Sequence, residues 1–112
     1  CGIEERGCSV SPHFMLSNGG IATADSIVRS PLGMIESGPA SGVLGAAELS
    51  KTLGIPDVVT LDIGGTTAKC SLIENHEARM TTDYYIERSP ITSGYPVRTP
   101  VVDIVEDRAA GP

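Results

Sequence analysis

Tryptophan is absent from this 112-residue chain, and the aromatic residues are four: Phe14, Tyr84, Tyr85 and Tyr95. Any core must be assembled from small aliphatics, which in so short a domain gives modest burial and favours support from a partner or from further chain. Lysine is scarce as well, present only at Lys51 and Lys69, and 14 acidic against 8 basic residues leave a formal charge of −6. Without a Lys/Arg cluster the chain has no grip for a phosphate backbone or an anionic membrane surface, so no nucleic-acid and no membrane partner is expected. No apolar run approaches the roughly 18 residues of a membrane span. No basic-then-apolar leader is present either. Cys1, Cys8 and Cys70 are odd in number and follow no CxxC spacing. They fit neither a disulfide framework nor a zinc site, and read as reduced thiols of a cytoplasmic protein.

What is present suffices for folding. Leu, Ile, Val and Phe make up about a quarter of the residues, while 13 Gly and 8 Pro stay below the low-complexity range. One domain at most is expected over 1–112, and the start at Cys1 without an initiator methionine suggests a segment of a longer protein. Residues 1–12 are polar and irregular. The apolar run 13–16 ends at Ser17-Asn18-Gly19-Gly20, whose glycines accept positive φ in a tight turn. A short helix is expected over 21–28, stopped ahead of Pro31, and an extended piece over 32–35. Ser37-Gly38-Pro39 opens the main helix, with Ser37 or Gly38 as cap and Pro39 in the first turn, where it costs no hydrogen bond. Ala40, Val43, Leu44 and Ala47 recur at helical spacing, and Gly54 followed by Pro56 marks the stop. Val58 to Ile63 reads as a buried strand, with a hairpin-like return along 68–73. A third strand over 78–86 and short strands at 95–98 and 101–105 complete the pattern. The class is α/β: a mixed sheet with one main helix.

The stretch Asp62-Ile63-Gly64-Gly65-Thr66-Thr67 carries the clearest chemistry. A strand ends in a carboxylate, two glycines allow close backbone approach, and two hydroxyls follow. Amides around such a bend can cradle a phosphate, and Asp62 is suited to a hydrated Mg²⁺ on a polyphosphate. A plain hairpin with Asp62 as turn acceptor fits the six residues too. The preceding strand and helix favour phosphate. At Ser37-Gly38 a helix N-terminus offers free N–H groups to an anion, although ordinary capping explains it as well. Asn18, Gly19 and Gly20 are turn residues first. Lys69 follows the bend at a distance from which it can approach a phosphate, and an exposed strand lysine is the alternative. His13, expected half-buried on a strand, and His76, expected in a polar turn, have no partners at metal-ligand spacing.

These stretches together resemble the hydantoinase A/5-oxoprolinase family, in its N-methylhydantoinase A-like branch. The matching residues are Met15 to Gly20, Ile35 to Gly42, Leu61 to Lys69, and Gly94 to Arg98 with Pro100 to Glu106. The resemblance implies a partial actin-like (ribonuclease H-like) ATPase domain. It also implies ATP-driven opening of a cyclic amide, a hydantoin or 5-oxoproline, through a phosphorylated carbonyl. Under it Gly64, Gly65, Thr66 and Thr67 contact phosphate and Asp62 holds Mg²⁺ through water. Asn18, Gly19, Gly20, Ser37, Gly38 and Lys69 border the cleft. As partners the resemblance implies a small cyclic amide and the rest of a parent chain, and it allows for a second subunit.

Three departures bear on that resemblance. Many relatives carry Asp where this chain has Lys69. The family's first phosphate loop is absent from these residues. Asp107 to Pro112 replaces a Gly-rich continuation. An isolated half of a two-lobed clamp is expected to lack ATPase activity. A non-catalytic remnant of the family and a segment of an acetone carboxylase-type subunit are the alternative readings.

Overall fold

The computed structural model describes residues 2–64, 67–86, 95–97 and 100–108. Gly65 and Thr66 of the candidate loop lie outside the described residues, as do Gly94 and Arg98 of the fourth matching stretch.

The β-branched run after Pro56 forms strand β3 (Val58–Ile63), and the chain returns as β4 (Thr67–Glu74), with Ile63 opposite Ala68 and Val58 opposite Ile73. β4 is central. Its first half pairs on the other side with β10 (Val105–Arg108), and its end pairs with β5 (Glu77–Ala78). Asn75 and His76 close the β4–β5 corner with φ of 52° and 67°, both in the left-handed region that two-residue hairpins require. The ladders among the described residues are antiparallel throughout. The α/β class with one main helix is as expected, and the strand pairs of the sheet are antiparallel among the described residues.

Helix α2 (Ser37–Leu53) lies against one face of this sheet. Its spacing of small residues has a direct consequence. Ala40, Val43 and Ala47 are buried with Ile73 of β4 and Val102, so helix and sheet meet through a thin aliphatic layer. Ser50 is the polar member of that stripe. Its hydroxyl donates to the Ala47 carbonyl at 2.7 Å and lies 3.0 Å from His76 Nδ1, which ties the helix to the β4–β5 corner. The half-buried His76 is therefore a packing residue. Gly54 ends the helix at φ 68°, the left-handed C-terminal glycine expected there.

Around this unit the chain is built from short pieces. β1 (His13–Met15) pairs with β2 (Ile21–Thr23), and α1 (Ala24–Arg29) follows directly. The helix expected over 21–28 thus loses its first turn to a strand, because Ile21 to Thr23 complete the hairpin opened at Asn18-Gly19. The piece expected to be extended near 32–35 is a 3₁₀ turn over Pro31–Met34, which Pro31 initiates. His13 is exposed. The single strand expected over 78–86 is three: β5, β6 (Met80–Thr81) and β7 (Tyr84–Ile86). β6 pairs with β9 (Val101–Val102) and β7 with β8 (Tyr95–Val97). Buried Ser17 joins these parts: its N–H and hydroxyl donate to the Gly33 carbonyl, and its own carbonyl accepts from Val102.

β3 is not buried. It forms the outer edge of the sheet, and Val59, Leu61 and Ile63 are 67%, 67% and 71% exposed on the face away from α2. Its β-branched composition reports strand geometry, whereas coverage depends on chain that these residues do not supply. Among the described residues no helix is long and apolar enough to cross a membrane.

Candidate functional site

The alternation of β3, β4 and β10 sets one charged row across the sheet. Asp62 stands opposite Lys69, and Lys69 stands opposite Glu106. The neighbouring row, Leu61, Cys70 and Val105, faces the other way, as a period of two demands.

Asp62 sits where β3 ends at the hairpin corner. Asp62, Ile63 and Gly64 are exposed, and a Cβ added to Gly64 would meet only the Thr67 carbonyl oxygen, at 3.7 Å. The Gly64 N–H donates to that carbonyl at 3.0 Å, so this amide is committed inside the hairpin. Thr67 is half-buried at the start of β4, in register with Arg108. Among the described residues the Asp62 carboxylate has no hydrogen-bond or ion-pair partner, and no group of three or more His, Cys, Asp or Glu could hold a metal. That donor set suits Mg²⁺, which keeps most of its waters and takes one or two carboxylates together with substrate phosphates. It does not suit an ion caged by protein alone.

An open groove of about 540 Å³ runs between α2 and the hairpin, with Asp62, Lys69, Thr60, Pro39 and Gly42 among its walls. Gly42 keeps that side of the helix slim; a Cβ there would meet nothing within 4 Å. Pro39 and Asp62, far apart in the sequence, thereby border one space.

Lys69 is bound more firmly than a surface strand lysine. Its ammonium donates to Glu36 Oε2, and Glu106 Oε1 lies 4.0 Å away. The Lys69 side chain is 16% exposed and that of Glu36 28%. The hydrogen bond to Glu36 holds the Lys69 pKa above the ordinary lysine value, outweighing burial, which acts the other way. Tyr84 lies in the same field. Burial pushes its phenol up first, and the Glu36 and Glu106 charges add to this against Lys69.

Glu36 corrects the expected cap. It occupies the N-cap position of α2 in place of Ser37 or Gly38, at φ 61° and ψ 18°, and its side chain caps nothing. A left-handed non-glycine residue costs about 1–2 kcal/mol. Here that geometry turns the carboxylate toward Lys69, while the Glu36 carbonyl accepts from the Ala40 amide at 3.0 Å. Glu36, Tyr84 and Glu106 carried no role in the sequence reading. The usable signal was a lone buried-strand lysine in an acidic chain, which demands a carboxylate partner somewhere.

The other expected cleft residues divide. Ser37 and Gly38 form the first turn of α2, where the Ser37 carbonyl accepts from the Ser41 hydroxyl at 2.6 Å. Asn18, Gly19 and Gly20 border neither the groove nor the Lys69 site. Asn18 Oδ1 accepts from the Gly20 N–H at 2.9 Å, the Gly19 N–H donates to Leu16, and Gly19 sits under Leu44 of α2. Their polar groups serve the turn.

An α/β unit of antiparallel strands with a glycine-rich hairpin corner beside a slim helix defines the class, and comparison with known proteins makes it specific. The profile of the hydantoinase/oxoprolinase family matches residues 2–111, and the chain belongs to that family. A Methanocaldococcus jannaschii protein described as uncharacterized is 37% identical over 97% of the chain and 17% of its own length. The caprolactamase alpha subunit of Pseudomonas jessenii is 30% identical over 72% of the chain and 12% of its length. The acetone carboxylase beta subunit of Xanthobacter autotrophicus is 34% identical over 72% and 11%. A nucleotide-free acetone carboxylase structure, solved to explain ATP-dependent acetone carboxylation, superposes with a TM-score of 0.76 at 28% identity. It covers 96% of this chain and 14% of that one. The chain thus spans less than a fifth of the length of these relatives, two of which are subunits of larger enzymes.

Proposed function

We propose that these residues are the phosphate-loop part of an ATP-dependent enzyme that opens a cyclic amide through a phosphorylated carbonyl. One observation carries the reading: an exposed carboxylate, Asp62, without a partner among the described residues, followed by exposed Ile63 and Gly64 beside a groove whose helical wall is kept slim by Gly42. Gly64 gives close approach, the amides and hydroxyls of Gly65, Thr66 and Thr67 meet phosphate, and Asp62 orients Mg²⁺ through water. When bound, the ion neutralises charge on the phosphates. The ATP dependence of acetone carboxylase and the lactam named in caprolactamase support the same chemistry. A second subunit and the remainder of a longer chain complete the enzyme, as the subunit relatives suggest.

The chemical logic is that an amide carbonyl is a poor electrophile. Its oxygen attacks the γ-phosphorus of ATP, the bond to the bridging oxygen breaks, and ADP leaves. Water then adds to the activated carbon, and the ring C–N bond breaks with the nitrogen taking a proton. A second water releases phosphate from the resulting acyl phosphate. The protein's share is positioning and stabilising the charge on the transferred group.

A ketone in place of the cyclic amide is the second reading, favoured by the acetone carboxylase likeness. Calorimetry of ATP binding to the full-length protein tests the shared step. Thr66→Val is expected to weaken binding at least about fivefold, the worth of one good hydrogen bond. Unchanged affinity would remove this corner from the site. Turnover assays with hydantoins, lactams and acetone then separate the two substrates.

A further inference from the structure

Beside the groove lies a second, more enclosed cavity of about 70 Å³, floored by Ala40, Val102 and Ile104 and rimmed by Glu36, Lys69, Tyr84 and Glu106. At roughly 30 Å³ per water in the liquid, that is space for about two waters, far too little for a nucleoside triphosphate and matched to a polar group at the edge of a small molecule. Its charge points the same way. Asp83 and Asp103 also border it, so among the described residues four carboxylates line it beside one lysine, with Arg79 paired to Asp103 at 3.7 Å, and the balance disfavours an anion. The raised Lys69 and Tyr84 both keep their protons at neutral pH. The rim therefore offers fixed donors, an ammonium and a phenol, next to the acceptors Glu36 and Glu106.

We propose that this cavity binds the substrate itself, a small neutral amide, with Lys69 and Tyr84 donating to its carbonyl oxygen and Glu106 accepting from its N–H. The proposal rests on the reading given above and adds to it the acceptor's place. Lys69 borders both the cavity and the groove into which Asp62 opens, so a carbonyl held by its ammonium lies at the junction of the two spaces. Glu36 serves as a positioning residue: its left-handed backbone and its bond to Lys69 aim the ammonium. An apolar floor with a few convergent polar groups of displaced pKa is the usual make-up of a substrate pocket.

The test uses the full-length protein and 2-pyrrolidinone, with pyrrole and cyclopentanone as uncharged analogues, titrated by NMR with and without a non-hydrolysable ATP analogue. The lactam is expected to bind, and pyrrole, which keeps the ring N–H but lacks the carbonyl, to bind at least tenfold more weakly. Tyr84→Phe, which removes one hydroxyl and leaves the ring, is expected to weaken the lactam about five- to tenfold while nucleotide affinity stays within twofold. Lactam affinity equal in wild type and Tyr84→Phe would overturn the proposal, as would absence of lactam binding in both arms while the nucleotide binds. Lactam binding that survives a failure to bind nucleotide would retain the cavity and discard the phosphate-loop reading. Cyclopentanone bound as tightly as the lactam would remove the role of Glu106.

Discussion

The Glu36–Lys69 pair can be tested as a two-sided device, holding a strained helix start while ordering an ammonium. The perturbation is Lys69→Met, which keeps the stem length and removes the charge. Rupture of a buried pair costs about 3–5 kcal/mol, and an exposed pair contributes about 0–1 kcal/mol. With side chains 16% and 28% exposed, this pair lies between the limits, and a loss of about 2 kcal/mol is expected. Glu36→Gln should cost about 1–2 kcal/mol, because the amide still accepts a hydrogen bond but the charge is gone. The double variant should lose less than the sum, leaving a coupling energy of about 1–2 kcal/mol by urea unfolding. Coupling below about 0.3 kcal/mol would mean that the two side chains are neighbours only, and would refute the reasoning.

The same pair gives a pH signature whose sign follows from linkage. The folded pKa of Lys69 lies above 10.5 and that of Tyr84 above 10.0, so the folded chain holds both protons more tightly than the unfolded chain. Their contributions are complete below those ordinary values and disappear as pH rises through the raised folded ones. Stability should therefore fall above about pH 10 more steeply in wild type than in Lys69→Met or Tyr84→Phe. Parallel pH profiles for the three proteins would contradict the assignment.

Two further substitutions probe the scaffold that carries the site. Ile73→Ala empties the largest fully buried position, 1% exposed between α2 and β4, and should cost about 2–5 kcal/mol by urea unfolding. A cost below 1 kcal/mol would place the helix–sheet core elsewhere. Gly19→Ala puts a methyl 2.6 Å from Leu44 Cδ1 at φ 86°, so left-handed strain and a displaced Leu44 rotamer together should cost about 1–3 kcal/mol. Ser37→Ala, which keeps the carbonyl that accepts from Ser41 and leaves the Glu36–Lys69 pair intact, provides the near-neutral control, and a large loss there would revive Ser37 as the cap of α2.

Local patterns were legible wherever a repeat of 3.6 or 2 met a clear punctuation mark. The span of α2 follows from Ala40, Val43 and Ala47 with Gly54 as its stop, and the β3–β4 hairpin follows from a β-branched run and an apolar one around Gly64-Gly65. Burial of those elements was not legible. Val59, Leu61 and Ile63 have the composition of a core strand, yet their exposure depends on whether other chain lies over them. The breaks among 78–86 were equally hidden, since Met80 and Thr81 pair with Val101 and Val102 and so answer to residues some twenty positions away.

The sequence by itself determined the family, the main helix, the hairpin and the candidate phosphate corner, because each is written in consecutive residues whose backbone preferences are local. Tertiary structure alone decided what stands beside that corner. Glu36 and Lys69 are 33 positions apart and meet only when α2 docks on β4, with Glu36 in the left-handed region. Tyr84 and Glu106 arrive from two more strands. Electrostatic attraction and burial act through space, so no window of neighbouring residues contains the cavity that these four side chains surround.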